Sequence, residues 1–287
     1  MTYLINGTKK SFCVFGILFL TLFIGCGEEE VLIPPPPPPP VTGKVVLVEK
    51  LTGVECAHCP RGDERLASIL KNNFPDNMVV VGIHGNLLTE PLEESLYDFR
   101  NQDARELEEF LKPFVGKPAA YINRRVFEGN EGFWGNSITG QWQTLIQNEL
   151  ETPQLIELRV AKTFDPVTAT LKFNAGVQAL EAMQGDYYIT IMLLEDNIVD
   201  AQLNIDKIED EYEHNHVLRE TITHFRGDFF TDSFEENENK TIEYSYTFSE
   251  TQQTDWEQQN MTIVAFIANR EGSSEEIIQA TSTRLMD

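Results

Sequence analysis

The chain has 287 residues and a formal charge of −24 at pH 7, from 22 basic against 46 acidic side chains. An acidic surface of this size repels nucleic acid and anionic membrane surfaces, so nucleic-acid binding is excluded as a function. The length is sufficient for two domains of ordinary size.

The N-terminus has the order of a secretory signal. Two lysines precede the apolar run Phe12–Ile24, which is shorter than the roughly 20 apolar residues that a bilayer requires. The run ends in Gly25-Cys26-Gly27, and a small residue before cysteine resembles the lipobox of bacterial lipoproteins. That resemblance implies a signal peptide over residues 1–25 and a lipid on Cys26 that ties the mature chain to a membrane.

A tether is predicted over residues 26–43. It contains the acidic triplet Glu28–Glu30 and seven prolines, Pro34–Pro40. A proline run adopts polyproline II and extends about 3.1 Å per residue, so this tract is a stiff spacer of roughly 20 Å. The acidic triplet resembles the surface-export signal of Bacteroides-group lipoproteins and is equally explained as a solvated tether, so the periplasmic and the cell-surface face both stay open.

Residues 44–150 alternate buried strands with amphipathic helices. Continuous apolar runs are typical of strands that are covered on both faces. The predicted elements are strands at 45–48, 78–83, 118–123 and 126–128 and helices at Arg61–Asn73, Asp103–Leu111 and Ser137–Leu150. Strand, helix, strand, helix in this order predicts an α/β domain with a βαβ unit and a parallel strand pair.

Residues 151–287 follow a different pattern. Apolar and polar residues alternate over 156–160, 169–177, 242–248 and 263–267, as in half-buried antiparallel strands, and Tyr187–Leu194 is more wholly apolar. Within residues 151–287, the pattern allows a helix of comparable length only in the acidic stretch 196–239. We predict an all-β sandwich, immunoglobulin-like, for this part of the chain.

The cysteines define one candidate site. Cys13 falls in the leader and Cys26 would carry the lipid, so Cys56 and Cys59 remain as a CxxC pair. In an oxidising compartment, such a pair can form a structural disulfide, act as a redox couple or bind a metal ion. The positive end of the following helix would stabilise a thiolate, which makes Cys56 the expected nucleophile and Cys59 the expected resolving thiol.

Residues 44–150 resemble the thioredoxin superfamily. The resemblance rests on Cys56-Ala57-His58-Cys59-Pro60 and on Val115–Ala120, which is similar to the cis-proline loop of that family. It implies that Pro118 binds substrate backbone opposite the two sulfurs. It also implies that Glu49, at the end of the first strand, assists proton transfer at the resolving cysteine.

The residue between the cysteines bears on the redox potential. His58 stands where the periplasmic oxidase DsbA also has histidine, and this resemblance implies a couple more oxidising than thioredoxin within the family range of about −270 to −120 mV. Glu55 opposes that effect because it disfavours a second negative charge beside Cys56. The redox direction therefore stays open.

The whole chain resembles the Omp28-related outer-membrane lipoproteins of the Bacteroides group. The resemblance rests on the lipobox, on Glu49–Gly53 before the CxxC, on Ile122–Arg124 after the proline loop and on Tyr212–Arg219. It implies residence in the outer membrane and a thioredoxin-like domain, and it implies no settled activity.

Two functions follow as hypotheses. One is a tethered thiol–disulfide oxidoreductase acting on exported proteins. The other is a non-catalytic surface binding or adhesion lipoprotein, in which Cys56–Cys59 is a structural disulfide and the sandwich holds a partner or glycan. A zinc site that joins the cysteines to His214 and His216 is a third alternative, although a structural zinc ion needs four ligands from two distant segments. We expect no cofactor and no metal.

Overall fold

The computed structural model of the protein describes residues 43–127, 135–272 and 274–286. The predicted signal peptide, the predicted lipidation site Cys26 and the tether up to residue 42 lie outside the described residues. The strands within the described ranges are β1 Val46–Leu51, β2 Met78–Ile83, β3 Ala119–Ile122, β4 Gly135–Asn136, β5 Ile156–Asp165, β6 Thr170–Ala179, β7 Met183–Glu195, β8 Ile198–Leu203, β9 Ile208–His214, β10 Val217–Thr221, β11 Asp228–Phe234, β12 Asn239–Thr247, β13 Met261–Glu271 and β14 Ser274–Arg284. The α-helices there are α1 Cys59–Asn72, α2 Gln102–Phe110, α3 Trp142–Leu150 and α4 Glu250–Asp255, with a short 3-10 helix at Gln258–Asn260. None of these helices is long and apolar enough to cross a membrane.

The N-terminal half contains the predicted parallel strand pair. β1 pairs with β2 in parallel, β3 runs antiparallel to β1, and β4 runs antiparallel to β3. The side chains of β1 alternate between two cores, as the period of two in a strand requires. Val46 and Val48 pack with α1 and α3, whereas Leu47 and Leu51 pack with α2.

The prediction of a strand at 126–128 is wrong, because Val126 and Phe127 belong to no strand. Residue 128 lies outside the described residues. Asn123 and Arg124 have φ of 48° and 53°, so the chain leaves the sheet in a turn directly after β3. Val126 is 49% exposed, which is incompatible with a buried strand. The next strand in the described chain is β4.

The C-terminal half is a β-sandwich. A three-stranded sheet, in the order β12-β6-β5, packs its apolar side chains against one face of β7 and β13. Leu171 and Phe173 of the first sheet meet Ile191 and Ile263 of the second in this core. The acidic stretch 196–239, all of which the structure describes, forms strands β8 to β11. It contains no helix, although the sequence pattern allows one there.

Strands β7 and β13 explain why the two halves are joined. Their second face, which includes Met192 and Phe266, packs into the same core as Leu47 and Leu51 of β1. One large sheet runs β14-β13-β7-β10-β2-β1-β3-β4, in which the step from β10 to β2 is a parallel pairing at Val217 and Gly82. The predicted segments 44–150 and 151–287 therefore share a sheet and a core, and the boundary between them stays a prediction.

Candidate functional site

Cys56 and Cys59 form a disulfide at the start of α1. Cys59 is the first residue of the helix, and its backbone N–H donates to the Cys56 carbonyl oxygen at 3.0 Å. His58 occupies the N-cap position and is exposed to solvent. The first turn of a helix leaves N–H groups without intrahelical partners, so its partial positive charge lies beside the two sulfurs.

Pro118 lies against the same turn of α1. The Lys117–Pro118 peptide bond is cis. A Cβ on Gly62 would lie 3.0 Å from the Pro118 ring and 3.3 Å from Trp142, so the glycine permits this close approach. The structure therefore joins Cys56 to Cys59 and packs Pro118 against Gly62, three residues after Cys59, whereas the catalytic roles of these residues stay predictions.

A hairpin from the C-terminal half covers the CxxC loop. The hairpin consists of β8 and β9, and the Leu203 N–H donates to the Val54 carbonyl oxygen at 2.8 Å. The Gln202 side-chain amide donates to the carbonyl oxygens of Gly53 and Cys56, each at 3.3 Å. Cys56 is only 2% exposed and Cys59 is fully buried.

Glu49 lies on the other side of β1, which corrects its predicted place beside the resolving cysteine. Its carboxylate accepts two hydrogen bonds from the Arg124 guanidinium, at 2.6 and 2.8 Å, and both side chains are fully buried. Arg124 also contacts Glu275 of β14 at 3.2 Å. Glu49 shares the α2 side of β1 with Leu47 and Leu51, whereas the disulfide begins α1 on the opposite side.

Lys50 points from β1 toward α1, on the same side of the strand as Val46 and Val48. Its ammonium contacts Asp63, whose other carboxylate oxygen accepts a hydrogen bond from the Tyr212 hydroxyl at 2.8 Å. Lys50 is 4% exposed. Burial and the neighbouring Asp63 charge raise the pKa of Tyr212 well above its usual range. Lys50, Asp63 and Tyr212, termed here the Lys50 cluster, line a cavity of about 610 Å³.

Sequence reasoning missed the Lys50 cluster. One signal for it was available, since Lys50 is a charged residue at the end of a strand whose six residues are all buried. Asp63, four residues after Cys59, would be expected on the same helix face as that cysteine. Nothing local predicts Tyr212, because it lies 149 residues from Asp63 in the chain.

Two buried histidines lie next to this cluster. The rings of His84 and His214 are 6.1 Å apart, and the Phe99 ring lies 5.1 Å from the first and 4.7 Å from the second. Within the described residues, neither ring nitrogen of His84 nor Nε2 of His214 has a hydrogen-bond partner. Burial lowers the pKa of His214 to about 4 and that of His84 well below its usual value.

The zinc alternative has no support from this geometry. His216 is directed to Asp196, with 3.1 Å between Nδ1 and the carboxylate, whereas His214 faces the aromatic rings. Over residues 43–127, 135–272 and 274–286, no group of three histidine, cysteine or acidic side chains is arranged to hold a metal ion.

The sequence matches one known protein family over its C-terminal part. The family description Outer membrane protein Omp28 matches residues 113–285, which is more than half of the sequence. The chain belongs to the Omp28 family. The predicted residence in the outer membrane is thereby confirmed. The Omp28 match includes Pro118 and the β8–β9 hairpin but begins after the CxxC, so family membership by itself does not assign a function to the cysteines.

Solved structures show how far the fold is shared. HBP35 of Porphyromonas gingivalis superposes with a TM-score of 0.67 at 16% identity, covering 84% of this chain and 75% of that one. A domain of the outer membrane lipoprotein Omp28 from the same organism matches at 19% identity and a TM-score of 0.32, covering 46% of this chain and 89% of that one. No curated protein matches the chain. The HBP35 likeness shows a common fold, and the similarity of the second structure is too low to support an argument.

Proposed function

We propose that this Omp28-family protein is a thiol–disulfide oxidoreductase that acts on exported proteins at the outer membrane. The observation that supports the proposal is the Cys56–Cys59 disulfide at the start of α1, with Pro118 packed on the same helical turn. We assign residues 44–150 to a thioredoxin-like domain, because a parallel pair followed by two antiparallel strands, with helices on both sides, has the topology of that fold. We assign residues 151–287 to an immunoglobulin-like sandwich.

The exchange needs two displacement steps. In the oxidising direction a substrate thiolate attacks the Cys56 sulfur, the Cys56–Cys59 bond breaks, and Cys59 leaves as a thiolate that takes up a proton. A second substrate thiolate then attacks the substrate sulfur of the mixed disulfide and releases Cys56 as a thiolate. Two substrate thiols are oxidised and the CxxC is reduced; the reducing direction is the reverse. His58 and the helix N-terminus favour the Cys56 thiolate.

A second candidate function rests on the burial of the cysteines. With Cys56 2% exposed and Cys59 fully buried, the disulfide has the protection expected of a structural bridge. The protein would then be a non-catalytic binding or adhesion lipoprotein. Exchange instead requires that the β8–β9 hairpin separate from the CxxC loop, which is held there by the Leu203 and Gln202 hydrogen bonds.

Trapping of the mixed disulfide distinguishes the two functions. In Cys59→Ala the resolving thiol is missing, so Cys56 should accumulate covalent adducts with exported proteins in the cell envelope. Cys56→Ala is the matched control, because it retains one buried thiol at the same loop. We expect adducts in the first variant at more than ten times the level of the second. Equal, low adduct levels in both would contradict the oxidoreductase.

We also propose that Cys26 carries the lipid after cleavage of residues 1–25. The Omp28 family match and the lipobox support this assignment. Cys26→Ala should release the protein from the membrane fraction, whereas Cys13→Ala, within the predicted leader, should not. Retention of Cys26→Ala in the membrane would contradict the lipid anchor. Protease shaving of intact cells assigns the face that the anchored protein occupies.

A further inference from the structure

The Lys50 cluster lies on the face of α1 that carries Cys59. Cys59 and Asp63 are one helical turn apart on α1, and residues at this spacing have Cβ atoms about 5–6 Å apart on one face. Lys50 reaches the same face from β1 and contacts Asp63. The strand and the helix thus each contribute one charged group, the Lys50 cation and the Asp63 anion, on the face of α1 that carries Cys59.

The third member of the cluster comes from the other half of the molecule. Tyr212 belongs to β9, in the hairpin that covers the CxxC loop, and its hydroxyl donates to Asp63 at 2.8 Å. A hydrogen bond donated to a carboxylate withdraws part of its negative charge from the surroundings. The Tyr212 hydroxyl thus weakens the electrostatic effect of the Asp63 anion on its surroundings, while the Lys50 cation keeps its full effect.

We infer that Lys50, Asp63 and Tyr212 are positioning residues that set the redox potential of the Cys56–Cys59 couple. This inference rests on the proposed function in so far as the couple is redox-active. The reduced form gains from every cation near its thiolate and loses from every anion. Lys50 therefore favours the reduced form, Asp63 favours the disulfide, and the observed pairing holds the two effects close to balance.

The inference predicts shifts of opposite sign for the two charged residues. Asp63→Asn leaves the Lys50 charge uncompensated, so the equilibrium with glutathione should move about tenfold toward the dithiol, which is about 30 mV for a two-electron couple. Lys50→Met leaves the Asp63 charge uncompensated and should move the equilibrium about tenfold toward the disulfide. The double variant should return to within about threefold of the wild type.

Tyr212→Phe is the variant that leaves both charges and the aromatic ring in place. It should move the equilibrium about threefold toward the disulfide, because Asp63 loses the hydrogen bond that moderates its charge. Tyr244→Phe is the matched control, since the Tyr244 hydroxyl also donates to an aspartate, Asp228, at 3.2 Å, in the sandwich. Tyr244→Phe should leave the equilibrium unchanged.

The experiment equilibrates the full chain and each variant in glutathione buffers of graded ratio and counts free thiols by alkylation. Opposite shifts for Asp63→Asn and Lys50→Met, with recovery in the double variant, support the inference. Shifts of the same sign, or no shift in Tyr212→Phe, overturn it. Failure of the proposed function is a separate result: a couple that responds to these substitutions but forms no mixed disulfide with envelope proteins leaves this inference standing and contradicts the oxidoreductase.

Discussion

The two sides of strand β1 carry buried charge in different ways. On the α2 side, Glu49 and Arg124 form a bidentate pair, and Glu275 of β14 contacts Arg124, Arg226 and Arg270. On the α1 side, the Lys50 cluster lies next to His84 and His214. Within the described residues, both ring nitrogens of His84 and Nε2 of His214 have no hydrogen-bond partner. The first arrangement fastens the two halves together, whereas the second leaves buried groups whose charge can change on the side of β1 that faces α1. Unsatisfied ionisable groups of this second kind are typical of functional sites.

The largest effect is expected on the α2 side. Arg124→Met should lower the free energy of unfolding by about 3–5 kcal/mol, because it leaves Glu49 and Glu275 buried with fewer partners. Urea unfolding of the variant and the wild type measures this difference. Arg159→Met is the control, since the Arg159–Glu157 pair is exposed and should contribute less than about 1 kcal/mol. A loss of similar size in both variants would contradict a structural role for Arg124.

The buried histidines on the α1 side should make the free energy of unfolding depend on pH. Burial keeps His214 neutral in the folded protein, with its pKa lowered to about 4, whereas an unfolded histidine takes up a proton near pH 6.5. The unfolded state therefore binds more protons between these values, and stability should fall by about 3 kcal/mol as the pH decreases from 6.5 to 4. His84, also with a lowered pKa, contributes in the same direction.

The acid response can be assigned with one variant and one control. His214→Phe retains a ring among Phe99 and Tyr212 and removes the titrating group, so part of the stability loss between pH 6.5 and 4 should disappear. His224→Gln changes an exposed histidine and should keep the wild-type pH profile. Unfolding free energies measured across this pH range give both results, and an unchanged profile in His214→Phe would remove His214 as a cause.

A smaller effect is expected where Pro118 meets α1. Gly62→Ala introduces a Cβ at 3.0 Å from the proline ring, and overpacking of this kind typically costs about 1–3 kcal/mol. Gly140→Ala is the matched control, because no atom lies within 4 Å of its added Cβ. Thermal unfolding should separate the two variants by several degrees. Equal stability would mean that Pro118 has room to move away from Gly62.

Most of the N-terminal half could be predicted from the sequence because its elements are marked locally. Apolar runs located β1 and β2, and helical spacing located α1 and α2 to within two residues at each end. Strands β8 to β11 were missed, since their outward residues are acidic and their neighbours in space are distant in sequence. The apolar pattern of β7 indicated burial on both faces but could not identify the core of β1 as the second partner.

The residues of the candidate site could be predicted from the sequence only where a local pattern marks them. Cys56, Cys59 and Pro118 carry recognisable spacing; the structure joins the two cysteines and packs Pro118 against Gly62 of the same helix. Glu49 was assigned to the wrong side of β1, because side chains in a strand alternate and a shift of one residue exchanges its two faces. Lys50 occupies the side that faces α1, and its link to the C-terminal half through Tyr212 depends on a tertiary contact that no local pattern reveals.

The reduction potential of Cys56–Cys59 tests most directly the proposal that this pair is a redox couple. Equilibration of the wild-type chain with thiol–disulfide buffers should give a potential within the range of about −270 to −120 mV that catalytic couples of the thioredoxin superfamily span. The free thiols should also form without unfolding of the chain. A potential below about −300 mV, with a disulfide that is reduced only when the protein unfolds, would identify a structural bridge and contradict the proposed redox activity.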